Sequence, residues 1–149
     1  MPTTLSLEEL QNLADVHTRY EFSHEIDPLM ETVHPNPCWI YEPMGCEITT
    51  VAAVAEMYTR MFPVIGAMKQ PNLVNTWFAS DGFIGEVEIT KPTPDGSDAT
   101  SSQFTWCEFT DTLISGEASY LDADDAKHVA KILGESFFSL PGVNTASLI

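Results

Sequence analysis

Apolar and polar positions near the start of the chain repeat with helical spacing. At about 100° per residue, Leu10, Leu13, His17, Tyr20, Glu21 and His24 fall in one stripe roughly 100° wide, the breadth of a core-facing surface. The helix opens at Ser6, which forms a capping box with Glu9, and runs to about Glu25. Asp27-Pro28 reads as an N-cap followed by proline at the first helical position. A short second helix then carries Leu29, Met30 and Val33 and stops at His34-Pro35. Cys38 to Glu42 is β-prone and bounded by Pro37 and Pro43, so it reads as a short strand before the turn residue Gly45. A third helix starts at Thr49 or Thr50. Val51, Val54, Tyr58, Met61 and Ile65 mark its apolar side, and Pro63 kinks or ends it.

Beyond Pro71 the period changes to two. Leu73 to Ser80, a turn at Asp81-Gly82, and the alternation of Phe83, Gly85, Val87 and Ile89 with Glu86 and Glu88 predict an antiparallel hairpin. Lys91 to Ser102, rich in Pro, Asp, Gly, Ser and Thr, reads as a long loop. Gln103–Phe109 and Leu113–Leu121 are the last two strands, with Ile114, Ala118, Tyr120 and Asp122 sharing an inward face. A closing helix spans Ala123 to Phe138, and residues 141–149 form a tail that is loose or packs on a partner. Helices followed by a run of antiparallel strands predict a single α+β domain over residues 1–149, the sheet curving over the N-terminal helices and bending at Gly85 and Gly116.

The polar members of the first stripe carry the chemistry. Two imidazoles, a phenol and a carboxylate on a core-facing surface cost free energy unless they find partners, which points to a polar cavity. Such cavities bind or transform small molecules. His17, Glu21 and His24 read either as a hydrogen-bonded pocket wall or as ligands of a divalent metal in a lyase or oxygenase, and the wall is the preferred reading. Glu42 shares a strand face with Cys38 and Ile40, where apolar surroundings would raise its pKa towards that of a general base. Trp39, Trp77, Trp106, Phe78 and Phe104 are candidates to line the cavity, at least half of them serving simply as core.

Composition narrows the partners. Twenty-two acidic against six basic residues give a formal charge of −16, which excludes nucleic acid and anionic membrane surfaces as expected partners. No apolar stretch approaches the roughly 20 residues of a membrane span, and MPTTLSLEEL lacks the features of a signal peptide, so a cytoplasmic location is expected. Cys38, Cys46 and Cys107 form no CxxC pair and read as buried thiols. No phosphate-cradling glycine loop, serine-nucleophile elbow or dinucleotide fingerprint is present, and no cofactor is expected.

The runs HTRYEFSHEIDPLMETVHPNP, WIYEPMG, TTVAAVAEMYTRMFP and GEASYLDADDAKHVAKILG, in that order, resemble the nuclear transport factor 2-like superfamily and, within it, the SnoaL-like group related to polyketide cyclases and ketosteroid isomerases. The likeness spans nearly the whole chain. It implies a cone made by a curved antiparallel sheet wrapped over helices, and a homodimer formed through the open sheet. It also implies cofactor-independent proton transfer on a small, apolar carbonyl compound, although the superfamily includes domains that only bind or dimerise. Tyr41-Glu42-Pro43-Met44-Gly45 resembles the isomerase segment whose carboxylate before proline is the general base, and Arg19-Tyr20 the helix that supplies an oxyanion-binding tyrosine. Asp122 resembles the acid/base aspartate at the end of the cyclase sheet, and its place before the last helix suits an N-cap equally. The resemblance thus implies Glu42 or Asp122 as the proton carrier, Tyr20 with His17 or His24 at the oxyanion, and Glu21 orienting a histidine.

Overall fold

The computed structural model describes residues 5–66, 69, 71–93 and 95–145. Helix α1, Leu7–Ser23, starts at the Ser6–Glu9 capping box and ends where His24 takes a left-handed conformation (φ 59°). Helix α2 is shorter than its pattern suggests, Ile26–Met30, with Glu25 and not Asp27 at its N-cap. Thr32 terminates it, since both its amide and its hydroxyl donate to the Leu29 carbonyl, at 3.0 and 2.6 Å. Val33 therefore opens a strand instead of closing a helix. Strand β1, Val33–Glu42, tolerates Pro35 and Pro37 because its pairing is irregular between Val33 and Cys38.

A three-residue strand β2, Cys46–Ile48, which has no signal in the periodicity, turns back on β1. Helix α3, Val51–Ile65, is capped by the Thr50 hydroxyl and carries Pro63 in its last turn. Strands β3, Asn72–Phe78, and β4, Gly82–Pro92, form the expected hairpin. Gly82 is required there, because a Cβ would collide with the Cys107 carbonyl oxygen. The long loop does not exist as expected. β4 continues to Pro92 and β5 begins at Asp98, their polar tips paired as Thr90 with Thr100, so the connection shrinks to residues 93–97. Strand β6, Leu113–Tyr120, returns beside β5.

Helix α4, Ala123–Leu133, stops before the expected Phe138. Gly134 adopts a positive φ, and the Arg60 guanidinium donates to the Leu133 carbonyl and to Ser136 Oγ while lying over Phe137. A 3-10 turn, Phe137–Ser139, follows. The start of the tail is ordered as β7, Val143–Thr145, paired with β2, whereas residues 146–149 lie outside the described residues.

The seven strands form one open sheet in the order β3-β4-β5-β6-β1-β2-β7, antiparallel except where β1 lies parallel to β6. Trp39, Ile48, Phe109, Ile114 and Phe137 pack with Leu10, Leu29, Val54 and Met57 into a core between sheet and helices. A β-bulge interrupts β6: Phe109 pairs with Ile114 but Glu108 with Gly116, leaving Ser115 as an extra residue. That single residue reverses the alternation. Ile114 faces inward before the bulge, and Glu117 and Ser119 face inward after it, while Ala118 and Tyr120 turn out.

Candidate functional site

Between the sheet and α1, α3 and α4 lies a cavity of about 140 Å³. Its middle is apolar, with Met61, Phe62, Ile65, Phe83, Val87 and Val129 among the lining residues. Its inner end gathers side chains from four elements: His17 and Glu21 from α1, Tyr58 from α3, Tyr41 from β1, and Glu117 with Ser119 from the bulged β6.

Glu117, 6% exposed, is the hub. Its carboxylate accepts from the Tyr58 phenol at 3.5 Å and from Ser119 Oγ at 3.3 Å, and His17 Nε2 lies 3.9 Å from it. Ser119 lies 3.5 Å from Thr105 Oγ1 on β5, which extends the polar chain along the sheet. Glu21 is only partly buried by area, yet its carboxyl is desolvated. Burial first and the Glu117 charge second raise its pKa from the usual 4.5 to about 7, against the opposing effect of His17 and the nearby Tyr58 hydroxyl. Burial, followed by the Glu117 and Glu21 charges, holds the Tyr41 and Tyr58 phenols well above their ordinary range, so both remain O–H donors. The Tyr41 hydroxyl has only a weak partner, Met61 Sδ at 3.6 Å.

The outer end is charged. Asp125, buried on α4, pairs with Lys91 of β4 and accepts from Ser101 Oγ of β5 at 2.7 Å, tying the last helix to the extended hairpin. Lys69 and His128 also line this end.

Of the residues singled out in the sequence, His17, Glu21 and His24 line the cavity. His24, in its left-handed cap, packs on Phe62 with ring centroids 5.0 Å apart and does not join Glu117. Among the described residues no group of three or more His, Cys, Asp or Glu is arranged to hold a metal ion. Tyr20 is partly buried against the core with the Arg19 guanidinium over its ring, and it is not among the lining residues. Glu42 lies on the other side of β1 from Trp39 and Tyr41, opposite Tyr120, and faces away from the cavity because strand alternation puts the two aromatics inside. Asp122 is an N-cap, its side chain accepting from the amides of Asp124 and Asp125 at 2.9 and 2.8 Å.

Trp39 is fully buried in the core, with no hydrogen-bond partner for its indole N–H among the described residues. Trp77, Trp106 and Phe104 are 50%, 45% and 42% exposed and stand on the outer face of the sheet, so they do not line the cavity. β5 alternates, and its inward positions beside Phe104 and Trp106 are taken by Thr105 and Cys107. Cys38 is only partly buried, unlike the buried thiol expected, whereas Cys46 and Cys107 are buried and inert by environment. Burial pushes Cys46 up to about 11 and Cys107 well above its usual range.

Glu117, Tyr41, Tyr58 and Ser119 escaped the sequence reading. The signal available for Glu117 was Ser115-Gly116, a small pair next to the site of a bulge, but regular alternation assigned its neighbours Ala118 and Tyr120 inward instead.

No protein-family model matches the chain, and neither does any curated protein. Solved structures do. A nuclear transport factor 2-like protein of unknown function from Cytophaga hutchinsonii ATCC 33406 is 14% identical, with TM-score 0.65 over 74% of this chain and 97% of that one. A SnoaL-like polyketide cyclase described as putative, from Jannaschia sp. CCS1, is 11% identical, with TM-score 0.64 over 85% and 96%. A ketosteroid isomerase-like protein from Catenulispora acidiphila DSM 44928, in complex with trimethylamine, is 10% identical, with TM-score 0.61 over 80% and 92%. At such identities the shared property is the fold, and the chain has the nuclear transport factor 2-like fold.

Proposed function

We propose that this protein is a cofactor-independent enzyme that moves a proton on a small, largely apolar carbonyl compound, isomerising, cyclising or cleaving it. The observation that carries the reading is Glu21 beside Glu117 at the blind end of an apolar cavity, with a pKa of about 7. At neutral pH such a carboxyl is present in both forms. As carboxylate it takes a proton from the carbon next to the carbonyl; the C–H electron pair becomes the C=C bond of the enolate and the C=O π pair moves onto the oxygen. As carboxylic acid it returns that proton at another atom. The Tyr41 hydroxyl, held only by a thioether, donates to the enolate oxygen as charge develops there. Glu117 stays fixed by Tyr58 and Ser119 and sets the affinity of Glu21 for its proton. In this reading Glu21 replaces Glu42 and Asp122 as proton carrier, and Tyr41 replaces Tyr20.

The cavity bounds the substrate. A dry cavity of about 150 Å³ accepts a benzene-sized molecule, so the space of about 140 Å³ here suits a single ring. The test is solvent-deuterium exchange by NMR in D2O, with wild type and Glu21→Gln incubated with cyclic enones, β-keto esters and aryl ketones of that size. Exchange that wild type catalyses and the variant does not supports the reading. A compound that binds without exchange in wild type overturns it in favour of a binding domain.

The outer face of the sheet supports a homodimer in the same reading. Trp77, Ile84 and Trp106 are neighbours across β3, β4 and β5, and Phe104 and Tyr120 pair beside them, all at least 36% exposed. A second copy would cover this row. Light scattering should give twice the chain mass for wild type and the single mass for Trp106→Lys.

A further inference from the structure

The hydrogen bonds around His17 define what the inner end of the cavity can accept. His17 is 1% exposed, and its Nδ1 lies 2.6 Å from Thr32 Oγ1. That hydroxyl also lies 2.6 Å from the Leu29 carbonyl oxygen, which only accepts. The single hydroxyl hydrogen of Thr32 is therefore committed to Leu29, and Thr32 meets His17 with a lone pair. Nδ1 must then carry the imidazole hydrogen, and in the neutral ring Nε2 is a bare acceptor.

Thr32 cannot easily turn away. Its amide is bonded to Leu29, and its carbonyl receives the Ile114 amide at 2.8 Å, so the residue is clamped between the end of α2 and β6. Nε2 itself has no hydrogen-bond partner among the described residues. Glu117 Oε2, a carboxylate oxygen 3.9 Å away, already receives the Tyr58 hydroxyl. A buried acceptor facing another acceptor across a cavity is completed only by a donor that arrives from the cavity.

The geometry points to a ligand that presents an enol or phenol O–H to His17 Nε2, with Thr32 as the positioning residue that keeps this nitrogen an acceptor; the inference rests on the cavity being the ligand site proposed above. His17 then discriminates a hydroxylated ring from its methyl ether, because the ether leaves Nε2 unpaired and adds bulk where the hydroxyl hydrogen should point. Sequence reasoning placed His17 at an oxyanion as a donor, and the Thr32–Leu29 relay reverses that polarity.

Two measurements test this. The 15N spectrum of the His17 imidazole at pH 8, assigned in the wild-type protein by through-bond correlation to the His17 backbone, should show Nδ1 protonated and Nε2 bare. A ring protonated on Nε2, or on both nitrogens, overturns the inference without any variant having to fold. Phenol and anisole, both single rings, are then titrated into the protein and followed by amide shifts. Phenol should bind about tenfold more tightly than anisole to wild type and to Thr32→Ser, and with little preference to Thr32→Val, where the imidazole is free to change tautomer. Absence of phenol binding, equal binding in wild type, or a preference that survives in Thr32→Val overturns it. Failure of the solvent-exchange experiment removes the enzyme reading and leaves both of these results standing.

Discussion

The inner and outer faces of strands β4, β5 and β6 are built from alternating residues of the same segments and yet have opposite characters. Inward, Phe83, Val87, Thr105, Glu117 and Ser119 bound a small cavity, with Thr105, Ser119, Glu117 and Tyr58 linked in one polar chain. Outward, Ile84, Phe104, Trp106 and Tyr120 leave large apolar surfaces in water, with Trp77 beside them. Most proteins keep aromatics in and carboxylates out. At its centre this sheet departs from that pattern: Glu117 is buried on the inner face, and large apolar side chains stand in water on the outer face.

The contrast is breakable by substitution, and the largest effect belongs to the inner side. Trp39→Ala removes a fully buried indole and should cost about 3–5 kcal/mol in denaturant unfolding. Lys91→Met leaves buried Asp125 with Ser101 as its only tie to the hairpin. Because Lys91 is 25% exposed, the loss should be about 1–2 kcal/mol, less than for a fully buried pair. Trp77→Ala on the outer face should cost about 1 kcal/mol or less in the monomer. A larger loss that grows with protein concentration would show that a second copy covers this tryptophan.

Glu21 sharpens the comparison through pH. Its folded-state pKa of about 7 lies above the ordinary 4.5, so the folded protein holds a proton that the unfolded chain releases between those values. Stability should therefore fall as pH rises from about 4.5 through about 7. Glu21→Gln should flatten this part of the profile and be more favourable relative to wild type at pH 8 than at pH 4, as read from denaturant midpoints. An unchanged slope in the variant would show that the carboxyl is not desolvated.

Much of the architecture was legible in the residues. The Ser6–Glu9 capping box, the Thr50 cap and the three- and four-residue spacing of α1 and α3 are local signals, and the helices begin where they say. The Asp81-Gly82 turn and the alternation from Phe83 to Ile89 likewise set the β3–β4 hairpin and its inward face. Inward polarity on α1 pointed to a polar cavity; His17 and Glu21 do line a cavity, but most of its lining is apolar. The extent of β4 and β5 was hidden because Thr, Ser and Asp are loop residues by composition, and only cross-strand partners such as Thr90 with Thr100 make them strand. β2 and β7 were hidden because three-residue strands exist only through their pairing.

For the site the division is sharper. Helical geometry alone determined that His17 and Glu21 share the buried side of α1, because 3.6 residues per turn leave no other arrangement for the stripe. Which carboxylate meets them was decided in three dimensions. The extra residue Ser115 turns Glu117 inward and Tyr120 outward, and strand alternation by itself cannot foresee where a bulge resets its phase. Tertiary structure likewise decided that Thr32 commits its only hydroxyl hydrogen to Leu29. The hydrogen-bonding polarity of His17 thus depends on the end of a neighbouring helix, a contact that no spacing along the chain encodes.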